Sequence, residues 1–160
     1  MKKKKIRKTN AIRQLEKEKI DYAVHEYPWN EDGRDAEDAA EWTGVPFHKI
    51  YKTMVATGSV TGEVIACIPA ESKLNLKKLA EVSGNKKVDM LNIDALEKTT
   101  GYVRGGCSPV GMKRSFPTFI ASCAADLPTI VVSAGKRGMQ VEVAPDDLLD
   151  ITGGHYADIT

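Results

Sequence analysis

The most constraining feature of this 160-residue chain is a pair of strand-like runs, Ile50 to Thr57 and Glu63 to Ile68. They are separated by five residues that include Gly58 and Gly62, and Pro69 closes the second run. A connection this short returns the chain antiparallel, because a parallel crossover needs about a dozen residues or more. The rest of the chain has to cover this hairpin.

Before it, Asn10 is placed to cap a helix through Lys19, with Ile12 and Leu15 on the buried side. A strand from Tyr22 to Tyr27 is closed by Pro28, and a polar loop from Asn30 to Asp35 leads to a short helix capped by Asp35, running through Trp42 and stopped by Gly44. After the hairpin, a helix with Leu76, Leu79 and Ala80 inward ends near Gly84, followed by a strand from Lys87 to Met90 and a short helix capped by Asn92. A glycine-rich loop from Gly101 to Gly111 precedes strands from Thr118 to Ser122 and Thr129 to Ser133. A tight basic turn, Ala134 to Gly138, returns through Met139 to Val143, and Pro145 opens a last helix. The expected class is α+β, with a mixed, largely antiparallel curved sheet and peripheral helices.

Apolar residues at 42% and charged residues at 28% suit one globular domain, expected over 9–160. Residues 1–8 form a basic arm expected to be disordered. They hold six of the 23 lysines and arginines, which leaves 17 bases against 22 acids in the body and hides an asymmetry behind a net charge of +1. Such an arm suits a polyanion, or it is a solvated tail; charge alone does not choose.

The three cysteines, Cys67, Cys107 and Cys123, make no disulfide framework, and His25, His48 and His155 lack zinc-site spacing. No apolar run reaches the roughly 20 residues of a membrane span, and no apolar stretch follows the basic cluster as in a secretory signal. A cytoplasmic protein without metal or cofactor is expected.

Three features bear on chemistry. Lys52 shares a strand face with Ile50, Met54 and Ala56, an odd place for an ammonium. It either snorkels to an exposed strand end or grips an oxygen at the floor of a cleft. The segment Gly101-Tyr-Val-Arg-Gly-Gly-Cys-Ser-Pro-Val-Gly111 lets backbone approach a ligand and offers free N–H groups, although it matches no phosphate-loop or dinucleotide fingerprint. The turn Ser133-Ala-Gly-Lys-Arg-Gly138 is a solvated hairpin tip or a phosphate contact. No nucleophile–base pair is marked, so any catalysis here positions and polarises.

These three motifs, Ile50-Tyr-Lys-Thr-Met54, Thr100 to Lys113 and Val132 to Gly138, occur in order and resemble the YbaK family. This is the freestanding branch of the prolyl-tRNA-synthetase-associated editing domains, and the likeness runs from about Asn10 to the C-terminus. The resemblance implies a barrel-like α/β core with a cleft for the aminoacylated 3′ end of tRNA, and prolyl-tRNA synthetase as a partner. It places Lys52 on the family's essential lysine, and Gly105, Gly106, Ser108 and Pro109 in the loop whose backbone holds the aminoacyl ester. Tyr27 and Ser133 fall on pocket-lining positions, and Gly101, Gly135 and Gln140 are expected to contribute to substrate binding. The implied reaction in cysteine-specific members is attack by the substrate's own thiol on its ester. Two residues depart from that pattern: Gln140 stands where those relatives carry an aspartate, and Asp35 where they carry an aromatic residue. Cysteine is the favoured amino acid, alanine or another small one an alternative, and a non-catalytic tRNA-end or nucleotide-binding adaptor the competing reading.

Deleting residues 1–8 is expected to weaken tRNA affinity and flatten its salt dependence, since six fewer charges neutralise fewer phosphates. Binding isotherms across a salt series check this, and an unchanged slope would show the arm to be idle.

Overall fold

The computed structural model describes residues 8–33 and 35–160. Residues 1–7, which make up nearly all of the basic arm, lie outside that description. The hairpin forms as expected. Strands β2 (Tyr51–Gly58) and β3 (Gly62–Pro69) run antiparallel in unbroken register from Tyr51 opposite Pro69 to Gly58 opposite Gly62. Asn85 locks its turn, accepting from the backbone N–H groups of Val60 and Thr61 at 2.8 and 3.0 Å. A side chain at Gly58 would collide with that amide, 2.3 Å away.

Around the hairpin the chain builds two sheets. β4 (Val88–Met90) pairs antiparallel with the end of β2. On the other side β5 (Thr118–Ala121) runs parallel to β3, and β8 (His155–Ala157) parallel to β5, giving the order β4-β2-β3-β5-β8. The second sheet is antiparallel throughout: β1 (Ala23–Glu26), β7 (Met139–Val143) and β6 (Ile130–Lys136), in the order β1-β7-β6. Among the described residues a single parallel bridge, Ile50 to Val131, joins the two sheets, and they do not close into a barrel. The helices are peripheral: α1 (Asn10–Lys17), α2 (Asp35–Thr43), α3 (Leu76–Ser83), α4 (Leu96–Thr100) and α5 (Pro145–Thr152). None of those described is long and apolar enough to cross a membrane.

Several expectations shift. Thr9, not Asn10, caps α1: its hydroxyl accepts from Ile12 N–H at 3.2 Å and also donates to the carbonyl of Ala134. That helix stops at Lys17, where Lys19 takes a φ of 56° and the chain folds back. The basic turn is shorter than expected, because β6 continues to Lys136 through an irregularity between Ser133 and Lys136, leaving Arg137 and Gly138 at the tip. Strand β8 was not foreseen. It has three residues, and only pairing with β5 defines it.

The core explains the mixture of pairings. In β3, Val64 to Ile68 are all buried, since the sheet is covered on both faces. One side packs on α1, α3 and the second sheet through residues such as Ile12, Leu79, Val132 and Val141. Against Val55 and Ile65 lies a separate cluster with Phe116, Cys107 and Met112, so the glycine-rich loop lies against the sheet, with its Cys107 held there.

A charged cluster ties the seam between sheets. Lys49, in a 3-10 turn just before β2, donates to Glu142 of β7 at 2.8 Å and to Thr129 at 2.6 Å. His25 of β1 contacts the other Glu142 oxygen at 2.8 Å, and Thr129 also donates to the carboxylate. The Lys49 ammonium, then the Thr129 hydroxyl and the His25 ring, hold the Glu142 carboxyl down to about 2 from its usual 4.5. A depressed carboxylate stabilises the fold above its unfolded pKa and loses that contribution as pH falls through the folded value. Glu142→Gln is therefore expected to cost about 1–3 kcal/mol at pH 7. The gap from wild type should close as pH drops from about 4.5 toward 2. Urea unfolding at several pH values measures it; a pH-independent gap would mean that the carboxylate's charge contributes nothing.

Candidate functional site

The two sheets diverge beyond their seam and leave a cleft of about 350 Å³. The start of β2 forms one wall with Lys52, Thr53 and Met54. The facing wall is the second sheet, through Ser133 of β6 and Gln140 of β7. The glycine-rich loop contributes Arg104, Gly105 and Cys107, and Tyr27, Asp35 and Ala36 complete the lining. Lys52 and the bend at Gly105 thus meet across one hollow.

Lys52 sits where β2 emerges from the core. Ala56 on the same face is fully buried, whereas Met54 and Lys52 are half-buried. Among the described residues Lys52 makes no hydrogen bond or ion pair, so its ammonium is available to a ligand. Half-buried, Lys52 borders the hollow at the strand's start.

Gly105 has a φ of 82°, a left-handed conformation that side chains disfavour. A Cβ there would also stand 3.3 Å from Trp29 Nε1 and 3.4 Å from an Asp35 carboxylate oxygen. At Gly106 an added Cβ would lie 3.1 Å from the backbone nitrogen of Arg137. The 104–106 bend is thus seated directly on the β6–β7 turn, and Arg137 Nε donates to the Arg104 carbonyl at 2.9 Å.

Gln140 supplies the facing wall with an unmet need. It is 7% exposed, and its Oε1 is buried without a partner among the described residues. A buried amide oxygen left unpaired costs about 1–3 kcal/mol, which a donor on a ligand would recover. Opposite it in register, Ser133 accepts from Gly135 N–H at 3.1 Å and keeps its own proton to donate. Burial, then the Asp35 charge, raises the Tyr27 phenol above its usual 10, so it too is a donor at neutral pH.

Cys107 lines the cleft but is not activated. Burial pushes its thiol up to about 11, and it stays protonated at neutral pH. The described cleft walls carry no histidine.

The other residues singled out from sequence have different surroundings. Gly101 ends α4 at a φ of 89°, against the Lys113 side chain. Ser108 is fully buried, its hydroxyl accepting from Val110 N–H at 3.2 Å. Pro109 borders a separate hollow beside Lys113 and Arg114. Gly135, at a φ of 94°, makes room for the Tyr102 ring, which would lie 2.7 Å from a Cβ. These positions shape the loop and its support, and do not line the cleft. Sequence reasoning assigned no site role to Arg104 and Trp29. Arg104 lay inside the quoted motif, and the signal for Trp29 was only its place after Pro28.

Residues 30–151 match the family model described as "Aminoacyl-tRNA editing domain". A protein of Enterococcus faecalis (strain ATCC 700802 / V583), "Putative Cys-tRNA(Pro)/Cys-tRNA(Cys) deacylase EbsC", is 53% identical over 159 residues, covering 99% of this chain and 97% of that protein. Proline–tRNA ligase of Fervidobacterium nodosum (strain ATCC 35602 / DSM 5306 / Rt17-B1) is 32% identical over 80 residues, half of this chain but 14% of the ligase. Among solved structures, the "Crystal structure of a putative trans-editing enzyme for prolyl tRNA synthetase" superposes with a TM-score of 0.78 at 24% identity. It covers 87% of this chain and 86% of that one, a likeness of fold.

Gly105→Ala should cost about 1–2 kcal/mol from the left-handed backbone and displace the Trp29 indole. Thermal unfolding and the tryptophan emission maximum read the two effects. Unchanged emission and stability would contradict the close approach.

Proposed function

The chain belongs to the aminoacyl-tRNA editing domain family, and we propose that it is a deacylase that removes a wrongly attached small amino acid from tRNA, foremost cysteine from Cys-tRNA(Pro). The observation that carries this reading is the meeting of an unpaired Lys52 ammonium, the Gly105 bend and the orphan Gln140 oxygen in one cleft. A cation beside a glycine bend suits an ester whose oxygens gain charge during cleavage, and a buried acceptor suits the amino group beside it.

The absence of an activated protein nucleophile on the described walls fits a reaction in which the substrate supplies its own. The cysteine sulfur attacks the ester carbonyl carbon, a carbon–sulfur bond forms and the bond to the ribose oxygen breaks. The thiol proton ends on that oxygen, releasing free tRNA and a cyclic thiolactone. Holding thiol and ester in reacting geometry supplies much of the acceleration. The Lys52 ammonium and the backbone of the Gly105 bend, whose Gly106 N–H already donates to the Val103 carbonyl at 2.9 Å, stabilise the oxyanion and the leaving oxygen. Tyr27 and Ser133 offer donors to the aminoacyl group. Gly106 acts through the seat of the bend, and Gly101, Ser108, Pro109 and Gly135 through the loop's shape.

The two departures from the cysteine-specific pattern fall in the same cleft. The carboxylate missing at Gln140 has a counterpart at Asp35, so the substrate's α-ammonium meets a neutral acceptor on one wall and a charge on the other. Such a pocket accommodates cysteine, and a panel of Cys-, Ala- and Pro-charged tRNAs ranks the alternatives. Choice of tRNA is assigned to a complex with prolyl-tRNA synthetase, because a domain this small has little surface beyond the acceptor end. Its place of work is the cytoplasm, with the charged tRNA.

Lys52→Ala is expected to lower the deacylation rate of Cys-tRNA(Pro) about 10²–10³-fold with an unchanged circular dichroism spectrum. Full activity in that variant would end the reading. Saturable tRNA binding with no deacylation of any panel member by wild type would favour the adaptor instead.

A further inference from the structure

Beside the cleft, a second hollow of about 420 Å³ opens between the loop after β1 and the outer side of α2. Trp29 and Trp42 border it, with Glu41 and Asp38 between them on the helix. Trp42 is 68% exposed, an unusual position for so large an apolar ring. Trp29 is half-buried, and the Arg137 guanidinium lies over its ring, 4.3 Å from the centroid.

The hollow neighbours the cleft through adjacent residues. The Trp29 Nε1 atom sits against Gly105, and α2 gives Asp35 to the cleft and Trp42 to the hollow. Seven residues of helix separate those two, about 10 Å. A ligand with its ester in the cleft therefore has its preceding portion within reach of the indoles.

We propose that the space between Trp29 and Trp42 is a stacking subsite for the cytosine that precedes the terminal adenosine of a tRNA 3′ end. This rests on the cleft being the ester site. Single-stranded bases bind by stacking on aromatic faces, with cations following the backbone. Both indoles border the hollow, Trp29 with one face already under Arg137, and Arg137 and Arg104, on the cleft side, supply charge for a phosphate. The carboxylate of Glu41 repels phosphate and only accepts hydrogen bonds, which matches the exocyclic amine of cytosine. Uracil would set a carbonyl oxygen there instead.

The test uses the full chain and its Trp42→Ala variant. The RNA trinucleotides CCA and UUA are titrated by quenching of tryptophan emission, and turnover is measured on Cys-tRNA(Pro) and on cysteinyl-adenosine, which lacks the preceding nucleotides. Wild type should bind CCA several-fold tighter than UUA. The variant should lose about tenfold in CCA affinity and raise KM for Cys-tRNA(Pro) by a similar factor, with kcat and cysteinyl-adenosine turnover unchanged. Equal affinity for the two trinucleotides, CCA binding unaffected by the substitution, or an equal loss on cysteinyl-adenosine would each overturn the proposal. So would weakened capture by prolyl-tRNA synthetase with CCA affinity intact, which would reassign the face to a protein. Titration does not depend on cleavage: CCA binding through Trp42 without any deacylation would sink the deacylase reading and leave this subsite standing.

Discussion

The cleft exists because two sheets are fastened at one seam and free beyond it. The backbone bridge from Ile50 to Val131 makes the junction. Lys49, one residue earlier, anchors the same point to Glu142 of the other sheet. From this fixed corner β2 and β6 run on, and two residues further along each strand Lys52 and Ser133 line the cleft. A fully bonded barrel would have closed that space with ladder hydrogen bonds. An unfastened pair would not hold an ammonium and a buried amide in register with each other.

Charge is distributed to suit. At the seam, lysine and glutamate satisfy one another with help from Thr129 and His25, so these mostly buried groups stabilise the fold. Inside the cleft the polar groups are left wanting: Lys52 has no partner among the described residues and Gln140 has a naked oxygen. Unmet hydrogen-bonding capacity costs stability in the empty protein and is recovered on binding. The neutral Cys107 thiol adds polarisable surface to the wall without competing as a nucleophile.

The glycine loop shows how far a motif can be read. Four glycines and a proline announced close backbone contact, and the structure contains several such contacts of different kinds. Gly105 approaches Trp29 and Asp35 at the cleft, Gly106 approaches the Arg137 backbone, and Gly101 merely ends a helix. Spacing does not tell these apart, because each depends on what the rest of the chain brings against it. The parallel pairing was hidden for a related reason. His155–Ala157 has no alternation of its own and becomes a strand only by pairing with β5.

The sequence by itself determined the local elements and their chemistry: the β2–β3 hairpin from its short turn, α3 from Leu76, Leu79, Ala80 and Gly84, and Lys52 as a charge on an otherwise apolar face. These follow from neighbours a few residues apart, where periodicity and backbone preference act. Only the tertiary structure decided that Lys52, Gly105, Ser133 and Gln140 border one space, that Asp35 joins them, and that Trp29 of the neighbouring hollow sits against Gly105. Those meetings span nearly the whole chain and are set by sheet divergence and burial, forces that no local window of residues contains.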